Sequence, residues 1–326
     1  MKKPTEAEAK TLGDWGYLAI KKHFNKILKQ EDDVLQDRDP EALHDMRVGM
    51  RRLRSAVTGF APALLLPKAA KERKIAQVAR ILGALRDLDV LKESLENEYQ
   101  PALPKSEQKS LNTVLDHLAK QRKHELKRVQ STLEDRDYQK LKQSLKKWLK
   151  EPEYKELGEF PIRDVLPDLL MPSVSQLFLH PAWLVGAEGE AGKIEVLRDL
   201  NQNTVRQLLA EKGLILHSLR KQTKRSRYQM ELFTDFYGSN YAAYVGDLDA
   251  IQKILGKIQD SFVLAEFLTD ALDSDTDSEL PTLNEQLAQT SYQAWQDWQP
   301  LQAKYLNPST RQALHLELLG PISDKS

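Results

Sequence analysis

The sequence contains no cysteine among its 326 residues. This absence excludes a disulfide framework, thiolate metal sites and thiol catalysis. Glycine and proline are also scarce, at 14 and 15 residues, while charged residues make up 29%. Such a composition is typical of a soluble, helix-rich protein. No uninterrupted apolar run reaches about 18 residues, so we expect no membrane-spanning helix and a cytoplasmic protein.

An excess of charge of either sign is lacking as well, because 48 Lys and Arg balance 48 Asp and Glu. A protein that binds a polyanion with its whole surface would be more basic. The charge is instead separated along the chain. Residues 44–54 contain four Arg and one Asp, residues 217–228 contain five Lys or Arg and no acid, and acids cluster at 273–279. The pattern favours a confined anion-binding site.

The two basic stretches are copies of one another. LHDMRVGMRRLRSAVTGF at 43–60 aligns without a gap with LHSLRKQTKRSRYQMELF at 216–233 when the sequence is shifted by 173 positions (217 − 44). The same shift carries Ile-Leu-Gly at 81–83 onto Ile-Leu-Gly at 254–256. A duplication that keeps its cations in register indicates a two-fold anionic binding site.

Helical periodicity dominates the chain, and alternating strand patterns are nearly absent. The sequence therefore predicts an all-α protein of two up-and-down helical bundles. We place the first bundle at 1–155, a Pro- and Gly-rich connection at 156–192 and the second bundle at 193–326. The apolar stretch 177–186 is expected to pack on a bundle, and the acidic run 273–279 is expected to be a solvated loop. The predicted helices span 6–31, 40–62, 68–98, 105–134, 136–150, 163–178, 192–211, 214–238, 240–272, 282–304 and 308–319.

On a helix of 3.6 residues per turn, each basic stretch has two distinct faces. Its apolar residues share one face and are expected to point inward. Its cations share an adjoining face, at spacings i, i+3, i+7 and i+10. These residues are His44, Arg47, Arg51 and Arg54 in the first copy and His217, Arg220, Lys224 and Arg227 in the second. We call them the first and the second basic row.

Further cations lie beside the rows or on neighbouring helices. Four cations on one helical face repel one another by a few tenths of a kcal/mol per pair, roughly, and a bound polyanion reverses that cost. Arginine also offers phosphate oxygens a planar fork of donors. Each row is about 16 Å long, which suits several units of a linear phosphate chain. The alternative is a solvated face whose cations pair with acids, and we expect Asp87 and its repeat equivalent Asp260 to be structural partners of Arg.

The motifs HDMRVGMRRLRSA at 44–56 and LGALRDLDVL at 82–91, with weaker copies at 217–228 and 255–260, resemble the CHAD domain family. The resemblance implies two four-helix bundles related by a pseudo-two-fold axis, with basic side chains lining a groove or pore between them. It also implies binding of inorganic polyphosphate and association with polyphosphate granules. The binding residues carried over are His44, Arg47, Arg51, Arg52, Arg54, His217, Arg220, Lys221, Lys224, Arg225 and Arg227, flanked by Lys21, Lys22, Arg73, Lys74, Arg80, Lys253 and Lys257. The second copy departs from the family pattern at Gln259, where an Arg is expected.

Other functions have less support in the sequence. The seven histidines lack the H-x-x-x-H and H-E-x-x-H spacings of metal sites, and His44 and His217 lie among arginines. A phosphotransferase or hydrolase would need a phosphate-binding Gly-rich loop, a nucleophile motif or clustered carboxylates for Mg²⁺. Nucleic-acid binding is the main competitor, although only Tyr228 could stack a base beside the rows. An accessory scaffold for phosphate-chain processing is a further alternative. So is a protein–protein scaffold, whose rows would already be neutralised by internal Glu and Asp. We therefore expect a non-catalytic polyphosphate-binding protein without a cofactor or metal.

Overall fold

The protein is all-α, as the sequence predicts. The structure, a computed structural model, describes residues 4–5, 7–190, 193–272 and 276–322. Within these residues, the exceptions to helical regular structure are one short hairpin and two isolated β-bridges, Thr11 with Pro161 and Leu64 with Tyr154. The chain divides into two units, of which the first comprises Met1–Ala102 and Asn112–Val165 and the second comprises Leu103–Leu111 and Leu166–Ser326.

The first unit contains five long helical segments. They are α1 (Leu12–Leu35), α2 (Pro40–Gly59), α3 (Glu72–Ser94, continued by a π-helical turn Leu95–Tyr99), α4 (Gln108–Glu134, in this unit from Asn112) and α5 (Arg136–Lys150). Short 3₁₀ turns occupy Lys68–Ala70, Gln100–Ala102 and Glu156–Glu159.

Helix α2 begins where the sequence predicts. The Asp39 side chain accepts from the backbone amide of Glu41, and Pro40 occupies the first turn, where its missing N–H costs nothing. The expected inward face of α2 is confirmed, because its apolar members are at most 5% exposed. These residues are Leu43, Met46, Met50, Leu53, Val57 and Phe60.

The second unit contains α6 (Ile162–Phe178, in this unit from Leu166), α7 (Gln202–Glu231), α8 (Ser239–Leu272), α9 (Thr276–Glu279), α10 (Pro281–Leu306) and α11 (Pro308–Leu319). Strands β1 (Ala187–Glu190) and β2 (Lys193–Val196) form an antiparallel hairpin in which Ala187 pairs with Val196. The expected inward residues Leu216, Leu219, Met230 and Phe233 are at most 2% exposed, which confirms the apolar face of α7.

The predicted break between two helices at 192–211 and 214–238 is wrong, because α7 runs without interruption from Gln202 to Glu231. The helix continues through Gly213, because one internal glycine costs only about 1 kcal/mol and the buried residues on either side hold the helix together. The predicted start at 192 is also wrong, since Lys193–Val196 is a strand. In the acidic run, Thr276–Glu279 is a short helix rather than the predicted loop, and residues 273–275 lie outside the described residues.

The stretch 177–186 packs on α10, as predicted. Trp183 stacks on Trp298 with ring centroids 5.2 Å apart, and the Gln302 side chain donates to the carbonyls of Trp183 and Val185 at 2.8 Å each. Gly186 closes this segment with φ of +69°, and a Cβ there would lie 2.6 Å from the Trp295 ring. Both its backbone conformation and the lack of space therefore require glycine.

No helix in the described ranges has both the length and the hydropathy to cross a bilayer.

Candidate anion-binding site

The first basic row lies along the junction of α2 and α3. Arg47 Nη2 is 3.0 Å from Asp87 Oδ1, and Arg54 Nε is 2.5 Å from Glu72 Oε1, both acids belonging to α3. His44 and Arg51 occupy the same face of α2 by helix geometry and are partly buried. The structure therefore brings the row together and gives Asp87 the structural role that the sequence predicts.

Helix α3 adds two of its three predicted cations to this junction. Arg73 and Arg80 precede Asp87 at intervals of seven residues, so they share its face of the helix, and both are exposed. Lys74 lies on the opposite face, nine residues before Gly83, and pairs with Asp137 of α5 at 2.5 Å. The structure does not bring Lys74 to the first basic row.

The second basic row lies along the junction of α7 and α8. Arg227 Nη1 is 2.5 Å from Asp249 Oδ1 and 3.2 Å from Glu231 Oε1. Lys253 contacts the other oxygen of Asp249 at 2.8 Å, and Lys257, four residues further along α8, is exposed. The duplicated sequence thus places both rows against the equivalent helix of their own unit.

His217 shows the local electrostatics of the second row. Its pKa is lowered, first because burial disfavours the imidazolium and then because Lys221 and Arg220 are close. A hydrogen bond with Gln259 acts in the opposite direction. Gln259 stands where the first copy has Arg86, so the departure from the family pattern replaces a cation with a hydrogen-bonding partner for the histidine of the row.

Arg52, Lys21 and Lys22 lie on a different side of the first unit. Helix α1 packs against the face of α2 that carries Gly49, where a Cβ would be 2.9 Å from Ile27. Arg52 and Lys22 converge there on buried His23, whose pKa is lowered to about 4 by burial, then by Arg52, Lys22 and Lys26. Lys21 lies over the Tyr17 ring, 6.0 Å from its centroid. These cations form a group at the junction of α1 and α2, apart from the first basic row.

The basic rows are only partly neutralised. Acids pair with Arg47, Arg54, Arg227 and Lys253, as described above. In the described part of the chain, the structure records no ion pair for a second set of predicted cations, which are Arg52, Arg73, Arg80, Arg220, Lys221, Arg225 and Lys257. Among the described residues, no acid partner is therefore recorded for Arg220 of the second row, or for Arg73 and Arg80 of α3 beside the first row.

Base stacking and metal binding, the other two possibilities that the sequence raised, depend on groups other than the cations. Tyr228, the candidate for base stacking, is only 6% exposed, and its ring lies under Arg227 with the guanidinium carbon 4.6 Å from the centroid. Among the described residues, no three His, Cys, Asp or Glu side chains are grouped as a metal ion would require. Sequence reasoning aligned Gly83 with Gly256 but assigned them no role; a Cβ there would lie 3.6 Å from Arg47 Nε and 3.3 Å from Arg220 Nε respectively.

Comparison with known proteins gives the family. A family model described as CHAD domain matches residues 18–269. The crystal structure of the CHAD domain from the plant Ricinus communis is similar, with 22% identity, a TM-score of 0.59, and coverage of 95% of this chain and 92% of that one. PptA from Streptomyces chartreusis is also similar, with 15% identity, a TM-score of 0.62, and coverage of 90% of this chain and 99% of that one. At these identities both structures support the fold alone. No curated protein matches the sequence.

Proposed function

The chain belongs to the CHAD domain family, and we propose from this membership and its basic rows that it binds inorganic polyphosphate without altering it chemically. The observation that carries the proposal is the equivalent placement of the two rows. Each follows the junction between two helices of its own unit, over about 16 Å. Among the described residues, no ion pair is recorded for Arg220 of the second row, or for Arg73 and Arg80 beside the first row. A linear chain of phosphates matches such a row better than a single small anion does.

The acids beside the rows are compatible with this function. Each of Asp87, Glu72 and Asp249 contacts an Arg and orients its guanidinium. Exposed ion pairs contribute only about 0–1 kcal/mol each, so a polyanion with many charges can compete with them. Because these carboxylates are engaged with cations, they favour a binding role over catalysis.

A phosphate chain is favoured over nucleic acid by the state of Tyr228. Sequence-tolerant binding of single strands usually combines a basic groove with exposed aromatic rings on which bases stack. Tyr228 is buried beneath Arg227 and does not offer such a surface. The rows therefore present features that recognise phosphate, without the aromatic platform that would recognise bases.

The proposal is tested by replacing Arg47, Arg51, Arg220 and Lys224 together with Ala and titrating the variant with polyphosphate. The expected result is loss of measurable binding with unchanged helicity by circular dichroism. The matched control replaces four exposed lysines of α4 and α5, which are Lys120, Lys123, Lys146 and Lys147. It removes the same charge and should retain most of the binding.

Competition separates the two phosphate ligands. Polyphosphate binding that persists in excess RNA or DNA supports the proposal, whereas displacement by equimolar nucleic acid contradicts it. If the row variant binds polyphosphate as tightly as the parent does, the rows are not the site. The shared groove between the bundles, association with granules and cytoplasmic location stay predictions.

A further inference from the structure

Two glycines in the middle of long helices face the basic rows. Gly83 in α3 and Gly256 in α8 are equivalent under the shift of 173 positions. An internal glycine destabilises a helix by about 1 kcal/mol relative to alanine. Neither glycine has a positive φ, so the backbone conformation does not require them. Their presence therefore needs a packing explanation.

The missing side chain makes room for an arginine in both units. A Cβ on Gly83 would lie 3.6 Å from Arg47 Nε, and apart from the surrounding turns of α3 no other atom of the described residues would lie within 4 Å of it. A Cβ on Gly256 would lie 3.3 Å from both Nε and Nη2 of Arg220 and 3.7 Å from its Cζ. Since Arg47 and Arg220 are also related by the shift, the glycine and the arginine are duplicated as a pair.

Another glycine of α8 shows that this contact is specific. Gly246 lies ten residues before Gly256 in the same helix, and a Cβ there would meet nothing within 4 Å in the described part of the chain. The guanidinium of Arg220, by contrast, lies 3.3 Å from the position that a Cβ on Gly256 would occupy. Its Nε is buried and has no hydrogen-bond partner among the described residues.

We propose, on the basis of the proposed function, that Gly83 and Gly256 are positioning residues that seat the guanidinium groups of Arg47 and Arg220 for contact with phosphate. An arginine side chain carries about 2 kcal/mol of rotamer entropy. A flat seat on the neighbouring helix removes part of that freedom before the ligand arrives, so less is lost on binding. A Cβ on Gly256 would meet the guanidinium at 3.3 Å and would displace it outward by a few tenths of an ångström, whereas a Cβ on Gly83 would fill the seat at an ordinary contact distance and have a smaller effect.

The second unit depends on its seat more than the first unit does. Arg47 is also held by Asp87 at 3.0 Å, whereas no ion pair is recorded for Arg220 within the described residues. The contact at Gly256 is also tighter than the contact at Gly83. Replacing Gly256 should therefore weaken polyphosphate binding more than replacing Gly83.

The test compares Gly256→Ala with Gly246→Ala by titration with polyphosphate of one defined length. Gly256→Ala is expected to weaken binding about tenfold, the value of one hydrogen bond to a charged group. Gly246→Ala should leave binding unchanged. Both substitutions should maintain or raise the melting temperature, because Ala favours helix. A purely structural role would lower the melting temperature and would not single out the ligand.

A double-mutant cycle identifies the arginine through which the glycine acts. In an Arg220→Ala background, Gly256→Ala should have no further effect on polyphosphate binding. Equal weakening in both backgrounds, or identical binding by Gly256→Ala and Gly246→Ala, overturns the inference while the proposed function stands. A parent protein that does not bind polyphosphate overturns both.

A second double-mutant cycle, with Gly83→Ala and Arg47→Ala, tests the inference if Gly256→Ala fails to fold. Gly83→Ala creates only an ordinary 3.6 Å contact and should fold. It should weaken binding by a smaller factor, about threefold, and the effect should vanish in an Arg47→Ala background. An effect that persists in that background contradicts the inference.

Discussion

Asp249 is the acid whose removal should most clearly reveal the binding surface. Its two oxygens contact Arg227 and Lys253 at 2.5 and 2.8 Å, so one carboxylate occupies two cations of the second basic row. The side chain is 31% exposed, which places it within reach of solvent ions. We predict that Asp249→Asn increases the affinity for polyphosphate.

The expected increase in affinity follows from the strength of these two ion pairs. Ion pairs of this exposure contribute about 0–1 kcal/mol of stabilisation each. Without the Asp249 carboxylate, polyphosphate does not have to break these two pairs, so its binding free energy improves by at most about 2 kcal/mol. Since about 1.4 kcal/mol corresponds to a factor of ten, the gain in affinity should not exceed about thirtyfold. Arg227 keeps Glu231 at 3.2 Å and so remains held near its position.

The matched control is Asp247→Asn on the same helix. Asp247 lies nine residues before Gly256, on the face of α8 opposite the row, and contacts Lys304 and the Tyr305 hydroxyl. Its substitution changes the net charge equally but should not raise the affinity beyond a small general effect that salt removes. Isothermal titration at two salt concentrations measures both variants. Weaker binding by Asp249→Asn, or an equal gain from Asp247→Asn, would refute the reasoning.

Three other outcomes are expected. Gly186→Ala should destabilise the second unit by more than about 1 kcal/mol, because alanine disfavours a positive φ and its Cβ meets the Trp295 ring, whereas Gly189→Ala should have little effect in thermal melts. Burial and nearby cations lower the pKa of His23 from 6.5 to about 4, so the stability that its neutral form provides is fully present above pH 6.5. As the pH falls from 6.5 to about 4, up to about 3 kcal/mol of the free energy of unfolding is lost. In acid unfolding titrations, the His23→Gln variant should lose less stability over the same pH range. The logarithm of the polyphosphate association constant should fall linearly with the logarithm of salt concentration, and a salt-independent constant would contradict phosphate binding by the rows.

The register of the basic rows could be predicted from sequence because it needs only helical periodicity. Helix α2 illustrates this, since its inward face and its start at Asp39 follow from spacing and capping chemistry alone. Lys74 illustrates the limit. It is adjacent to Arg73 in sequence, but one residue turns a helix by about 100°, and only the packing of α3 against α2 and α5 shows which of the two faces the row.

The hairpin and the glycine seats could not be predicted for different reasons. The strands Ala187–Glu190 and Lys193–Val196 place Glu188 opposite Glu195, and glycine and glutamate are depleted in strands, so Ile194 and Val196 alone give only a weak strand signal. Gly83 and Gly256 have a role only through arginines 36 residues earlier in the chain (83 − 47 and 256 − 220). A contact between neighbouring helices becomes visible once their packing is known.

The duplication also provides an internal reference for the electrostatics of the rows. The position equivalent to Asp249 in the first unit is Ala76 (249 − 173), which carries no charge. Arg80, the equivalent of Lys253, accordingly has no recorded ion pair in the described residues, whereas Lys253 is paired. Asp249→Asn therefore removes a negative charge that the first unit lacks at the equivalent position. Asp249 is therefore not required to place Arg220 beside Gly256, because the first unit places Arg47 beside Gly83 with Ala76 at the equivalent position.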